Sequence, residues 1–350
     1  MTKLRRDDLR GKVQTVLGPI EPEKLGQTLM HEHLIWDLAR PVMGSLGKPE
    51  DDIRLDTLFA INYGGRRKSA TNYRQRERAM IIDEVRRMVA AGGRAVVELT
   101  NGGLKPDPAG LVEVARATGA HIVMGCGWYV DEYQDHHNEN RTVEMIARDI
   151  VGQVLEGAWD TEIRAGIIGE IGCQAPWTNT EKKVMRGAVI AQKETGAAIN
   201  VHPGRHHDQP QEAVDFIRAH GGDLSRVVVS HIDRTIFDEA RLIRLADTGA
   251  TIEFDLFGIE QSYYPLNEAI DMPNDATRIK LIRALIERGH LPRVVVSHDI
   301  CTLTRLVRYG GHGFGHIYEN VMPMMRRRGF SETEIDAILV QNPKRLLTFV

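Results

Sequence analysis

Two histidines one residue apart, His31 and His33 in Gln27-Thr-Leu-Met-His-Glu-His-Leu-Ile35, have a type and spacing that suit chemistry. Thr28, Leu29 and Met30 lead into them as a β-strand would, and on a strand residues two apart face the same way. Two imidazoles aimed together from a strand's carboxyl end make a pair of metal ligands, whereas helical spacing would splay them apart. A solvated or core-satisfied pair has the same local spelling, so the rest of the chain has to supply partners.

Partners stand where other strand-like runs end. Arg164–Gly172 carries Glu170, Ala197–His202 ends in His202, the run before Ile232 ends in His231, and Val296 is followed by Ser297-His298-Asp299. With His31 and His33 this gives four imidazoles and two carboxylates, a donor set suited to zinc, cobalt or manganese. Six donors exceed the three plus water typical of one open catalytic zinc. They suit two metals about 3.5–4 Å apart that share a carboxylate and a hydroxide of depressed pKa. A carboxylate touching one metal, Asp299, could then take the hydroxide's proton.

Such a cluster needs a fold that brings distant strand ends together. Met80, Ile81, Val85, Met88 and Val89 recur at helical spacing within residues 75–91; Gly92-Gly93 stops that helix, and Arg94–Thr100 reads as a buried strand. The unit returns at 178–202: Thr178 and Glu181 form a capping box, Gly196 ends the helix, and Ala197–His202 is the next strand. Eight strand candidates lie near 27–33, 94–100, 120–126, 163–170, 197–202, 226–231, 250–255 and 293–298, with helical patterns in most intervals. With no break in composition, residues 1–350 read as one domain. The expected fold is an α/β (β/α)8 TIM barrel with a binuclear metal centre at the C-terminal mouth of its strands. A doubly wound open sheet is the alternative. Residues 40–72 and 301–316 read as long irregular loops, the second being glycine-rich.

Composition bounds the function class. Lys+Arg 45 against Asp+Glu 48 leaves no basic excess, and no basic stripe alternates with aromatics, so nucleic acid is not an expected partner. No apolar run approaches the roughly 20 residues that span a bilayer, and the charged start Met1-Thr-Lys-Leu-Arg-Arg lacks a signal's apolar core. Cys126, Cys173 and Cys301 are too few and too scattered for a disulfide framework and read as buried thiols. A soluble cytoplasmic protein acting on a small molecule is expected.

Several stretches together resemble the phosphotriesterase-like family of the amidohydrolase superfamily. They are Thr28-Leu-Met-His-Glu-His33, Gly166-Ile-Ile-Gly-Glu-Ile-Gly172, Val201-His-Pro-Gly-Arg205, Ser230-His-Ile-Asp-Arg234 and Val296-Ser-His-Asp299. Glu253-Phe-Asp-Leu-Phe-Gly258 and Arg308-Tyr-Gly-Gly-His-Gly-Phe314 narrow the resemblance to the phosphotriesterase-related branch, and it runs from about Gly18 to the carboxyl terminus. It implies that His31, His33 and Asp299 hold a more buried metal and His202 and His231 a more exposed one. The best-known members bridge the two with a carboxylated lysine at the place of Gly169; Glu170, one position on, matches the branch that bridges with glutamate.

The resemblance further implies a metal-dependent hydrolase, most simply with two zinc ions, whose metal-bridging hydroxide attacks a carbonyl. A small N-acyl amino acid or N-acyl sulfonate is the favoured substrate. A lactonase or carboxylesterase with weak phosphotriesterase side activity is the alternative, and a non-catalytic metal- and ligand-binding barrel is the contrasting class. A homodimer is a family-level expectation.

Tyr129 in Gly127-Trp-Tyr-Val130 sits where lactonase members place a tyrosine over the metals; a packed aromatic is its other reading. Arg205 and Arg234 flank the candidate ligands and suit the clamping of an anionic substrate tail, or they pair with Asp233 or Asp299. His312 and His316 belong to the glycine-rich loop and are candidates to line the pocket. His298 and Glu32 read as structural, His206 and His207 as solvated. For Glu170 the competing reading is a buried charge paired with Arg164 or Lys182.

Overall fold

A computed structural model describes residues 4–40, 43–63 and 69–350. Eight parallel strands follow one another around a barrel in sequence order. They are β1 (Thr28–Glu32), β2 (Ala95–Glu98), β3 (His121–Cys126), β4 (Ile167–Gly172), β5 (Ile199–His202), β6 (Val227–Val229), β7 (Thr251–Phe254) and β8 (Val294–Val296). Their residues are buried on both faces except for the half-buried His121, which is why they read as continuous Val/Ile runs rather than alternating ones.

Alternation along the strands sorts these apolar side chains into two layers. Met30, Val97, Val123, Ile167, Ala198, Val228 and Val295 fill the barrel interior. Leu29, Val96, Ile122, Ile168, Ile199, Ile252 and Val294 pack outward with helix residues such as Val85, Leu111 and Val184. The outer layer includes α1 (Arg78–Ala90), α2 (Pro108–Thr118), α3 (Val143–Leu155), α4 (Asn179–Thr195), α5 (Gln209–Ala219), α6 (Glu239–Asp247) and α7 (Asp275–Glu287). Their ends use the signals read in the sequence. Thr178 Oγ1 accepts from the Glu181 amide at 3.1 Å while the Glu181 carboxylate accepts from the Thr178 amide. Gly196 closes α4 in the left-handed conformation, φ +76°.

Closure between β8 and β1 rests on one side chain. The fully buried Glu32 carboxylate accepts from Ser297 Oγ (2.8 Å), the His298 amide (2.9 Å), His298 Nδ1 (2.7 Å) and the Ile300 amide (3.0 Å). The Asp299 amide donates to the His31 carbonyl alongside. Glu32 and His298 are therefore structural, the reading the sequence favoured. Glu32→Gln turns one acceptor into a donor facing these N–H groups and is expected to lower the unfolding free energy by about 3 kcal/mol. Chemical denaturation checks this; a change under 1 kcal/mol would contradict the role.

Two sequence expectations need correction. The fourth strand lies at Ile167–Gly172 rather than near 163–170, because the Ala165 amide is still engaged by the Gln153 carbonyl of α3 and only at Gly166 do the amides reach the neighbouring strand, at Met124. The stretch 40–72 is not wholly irregular: Pro49–Asp52 and Leu55–Tyr63 are helical, with Thr57 and Ile61 four apart on the buried side. Residues 41–42 and 64–68 of that stretch lie outside the described residues. Among the described residues no helix is long and apolar enough to cross a membrane.

Candidate metal centre

The carboxyl ends of the strands gather all six candidate ligands. His31 and Glu170 lie within β1 and β4, His202 ends β5, and His33, His231 and Asp299 lie just beyond β1, β6 and β8. Glu170 is the hub. Its Oε2 lies 2.6 Å from His202 Nδ1, 3.4 Å from His231 Nε2 and 3.5 Å from His31 Nε2; its Oε1 lies 3.5 Å from His33 Nε2. Asp299 Oδ1 stands 3.2 Å from His33 Nε2 and 3.9 Å from His31 Nε2. The alternative partner for Glu170, Lys182, lies instead over the Trp177 ring.

Simple strand alternation does not account for β1. Met30 points into the barrel, yet its neighbour His31 does so as well. The pairing of β1 with β2 slips between Leu29 and Glu32, and such an irregularity re-aims side chains. His231 and Asp299 both adopt positive φ, +55° and +50°, a conformation costly for non-glycine residues and concentrated at functional sites.

The outer ring nitrogens are fixed by buried neighbours. His31 Nδ1 meets Ser230 Oγ (3.1 Å), itself bonded to Asn200 and Glu253. His33 Nδ1 meets Thr100 Oγ1 at 3.0 Å, and His231 Nδ1 meets Asp255 Oδ1 at 2.9 Å. These contacts turn the Nε2 lone pairs inward, the arrangement by which outer partners orient metal-bound histidines. Sequence reading missed Asp255, Glu253, Ser230, Asn200 and Thr100. The signal was present for two of them, since β7 ends at Phe254 with Glu253 and Asp255 polar inside an apolar run.

These residues fit a pair of cations. His31 Nε2 is buried at the centre with no hydrogen-bond partner. Although burial lowers the His31 pKa, Glu170, Asp255 and Glu253 outweigh it and raise the imidazole well above its usual range, so the centre favours positive charge. Burial also costs the Glu170 carboxylate, yet the hydrogen bond from His202, the His31 charge and a hydrogen bond from His231 hold it well below the usual carboxylate range. Burial pushes His202 down to about 3, the neutral form that ligates. His31–His33–Asp299 and His31–Glu170–His231 each bring three donor atoms within 4.8 Å of one another.

The place of the relatives' lysine is closed to a side chain. Gly169 has φ +139°, and a Cβ there would stand 2.5 Å from the Asn200 carbonyl oxygen. Gly169→Lys is expected to lose about 1–3 kcal/mol from backbone strain alone and to supply no lysine bridge. Thermal melting and metal content of that variant, with and without bicarbonate, check it.

A cavity of about 340 Å³ opens above the cluster. Its walls include Tyr129, Arg205, Arg234 and His312 among the residues singled out from sequence, and also Arg305 and Cys301. Tyr129 Oη is 3.4 Å from His202 Nε2, and burial, reinforced by the Glu170 charge, raises its pKa well above the usual value, so the hydroxyl keeps its proton. Burial holds His312 neutral, and its Nε2 has no partner. Neither arginine pairs with Asp233, which Arg278 takes at 2.7 Å. Arg234 Nη2 donates to the Pro203 carbonyl and meets His202 Nε2, both 3.2 Å away, while Nη1 lies 3.5 Å from Thr235 Oγ1. His316 turns from the cavity to Asp275, His206 and His207 stay exposed, and Cys301 is half-buried where full burial was expected.

Comparison with known proteins agrees with this geometry. The model of the phosphotriesterase family matches residues 11–347. An N-acetyltaurine hydrolase of Xenopus tropicalis is 44% identical over 345 residues, covering 97% of this chain and 99% of its own. Among solved structures, a resiniferatoxin-binding protein from Rhodobacter sphaeroides superposes with a TM-score of 0.91 at 31% identity, covering 99% of this chain and 98% of the other. A phosphotriesterase homology protein from Escherichia coli, complexed with phosphate in its active site, gives 0.76 at 31% identity over 93% and 99% of the two chains. With the family matched over nearly its whole length, the chain belongs to the phosphotriesterase family, and it is a hydrolase.

Proposed function

We propose that this hydrolase cleaves small N-acyl amines that carry an anionic end, N-acetyltaurine being the first compound to test, at a centre of two divalent cations, zinc in the simplest case. The observation that carries this reading is a guanidinium-lined cavity above six candidate donors gathered around Glu170 and Asp299, in a chain similar over its full length to a protein named N-acetyltaurine hydrolase. Two cations held by His31, His33, Glu170, His202, His231 and Asp299 would lower the pKa of water and polarise the carbonyl.

The chain's own groups account for the remaining steps. Asp299, 3.2 Å from His33 Nε2 and lining the cavity, takes the proton of the attacking water and returns it to the departing nitrogen. Water adds to the carbonyl carbon, the C–N bond breaks, and a carboxylic acid and an amine leave, the acid then giving its proton to the amine or to solvent. The Tyr129 hydroxyl, kept protonated, donates to oxygen or nitrogen as charge develops there.

Hydrolysis of N-acetyltaurine set beside N-acyl amino acids, lactones and a phosphotriester tests the reading, with metal analysis of the fresh protein. We expect two divalent ions per chain, amide turnover lost to a chelator, and turnover restored by zinc, cobalt or manganese. Turnover of lactones alone would overturn the amide assignment. Fewer than one ion per chain, with no activity restored by metal, would overturn the two-cation centre.

A further inference from the structure

The glycine-rich loop after β8 wraps an arginine that sequence reading passed over. The Gly313 amide donates to the Arg305 carbonyl at 2.8 Å, and a Cβ at Gly311 would overlap the Arg305 backbone. Only a glycine lets the loop close that tightly around it. Arg305 Nη1 then donates to the carbonyl of Asp299 at 2.6 Å, which fixes the guanidinium over the candidate ligand and inside the cavity. Among the described residues no carboxylate pairs with this guanidinium, and its Nε and Nη2 have no hydrogen-bond partner.

Arg205, the more exposed of the two, lines the same cavity. Its Nε donates to Tyr264 Oη at 2.8 Å, and its two terminal nitrogens have no partner among the described residues. Arg234, by contrast, is engaged on Pro203 and His202. Two guanidinium groups with unused N–H donors therefore line one cavity, and planar forks match oxyanions through paired N–H groups.

We propose that Arg305 and Arg205 form an anion subsite that takes the sulfonate or carboxylate end of the substrate, while Arg234 positions His202. The subsite sets the selection of anionic over neutral amides, and it rests on the reading of the chain as an amide hydrolase. The loop glycines thus act by presenting Arg305, not by cradling a phosphate.

The test compares wild type with Arg305→Ala, Arg305→Lys and Arg205→Ala on N-acetyltaurine, N-acetyl-β-alanine and uncharged N-ethylacetamide. The ratio of kcat/KM for N-acetyltaurine to that for N-ethylacetamide is expected to fall roughly ten- to hundred-fold in Arg305→Ala, chiefly through KM, with partial recovery in Arg305→Lys. The N-acetyl-β-alanine arm separates sulfonate from carboxylate recognition. Calorimetric titration with ethanesulfonate reads the subsite without turnover: binding to wild type should weaken at least tenfold in Arg305→Ala. Arg305-dependent ethanesulfonate binding in a protein that cleaves no amide would sink the proposed function and leave the subsite standing. Amide hydrolysis with no change in the substrate ratio, or no ethanesulfonate bound by wild type, would overturn the subsite. Should Arg305→Ala fail to fold, Arg305→Lys and Arg205→Ala carry the same comparison.

Discussion

Asp299→Asn is expected to lower kcat for amide hydrolysis by about three orders of magnitude, within the range found for a positioned proton acceptor. Asparagine keeps the size of the side chain and an oxygen near His33 Nε2, now 3.2 Å away. It cannot take a proton from water or return one to the leaving nitrogen. The backbone contacts at this residue, from its amide to His31 and from Arg305 to its carbonyl, do not depend on the side chain, so the fold should survive. Steady-state kinetics on N-acetyltaurine, with circular dichroism to verify folding, checks the expectation. Activity within tenfold of wild type would remove Asp299 from the proton path.

Glu170→Gln should act on occupancy before rate. One carboxylate serves four imidazoles at 2.6–3.5 Å, and the amide removes the charge that a shared bridge needs. Loss of one partner from a buried charged cluster costs about 3–5 kcal/mol, or roughly two to four orders of magnitude in affinity at about 1.4 kcal/mol per tenfold. Elemental analysis should find the divalent content falling from two per chain to one or fewer, with hydrolysis lost in parallel. Two tightly held ions in Glu170→Gln would show that the bridge lies elsewhere.

The two variants separate roles that sit within a few ångströms of each other. Asp299→Asn should keep its metal better than Glu170→Gln does, because Glu170 reaches all four imidazoles whereas Asp299 lies at the cavity edge, 3.2 Å from His33 Nε2. A joint loss of metal in both would make Asp299 a ligand first and a proton carrier second.

The sequence by itself singled out the candidate donor set and determined the order of elements. In a parallel barrel every strand ends at the same mouth, so listing what stands at each apolar run's end was enough to name His31, His33, Glu170, His202, His231 and Asp299. Caps such as Thr178–Glu181 and the stop at Gly196 were legible because their hydrogen bonds span only a few residues. The fourth strand's start was less legible, since hydrogen bonds donated to the carbonyls of Gln153 and Met124, outside the local stretch, decide it.

Only the tertiary structure decided contacts between residues far apart in the chain. It made Glu32, spelled between two candidate ligands, the staple joining β1 to β8 over a separation of 265 residues or more. It turned His31 inward through a slip in strand pairing and set Asp255, Ser230 and Thr100 behind the imidazoles. It engaged Arg234 on His202 while leaving the forks of Arg205 and Arg305 turned to the cavity. Spacing along a chain fixes which way a side chain can point. Which charges find partners depends on distances that form only when the barrel closes.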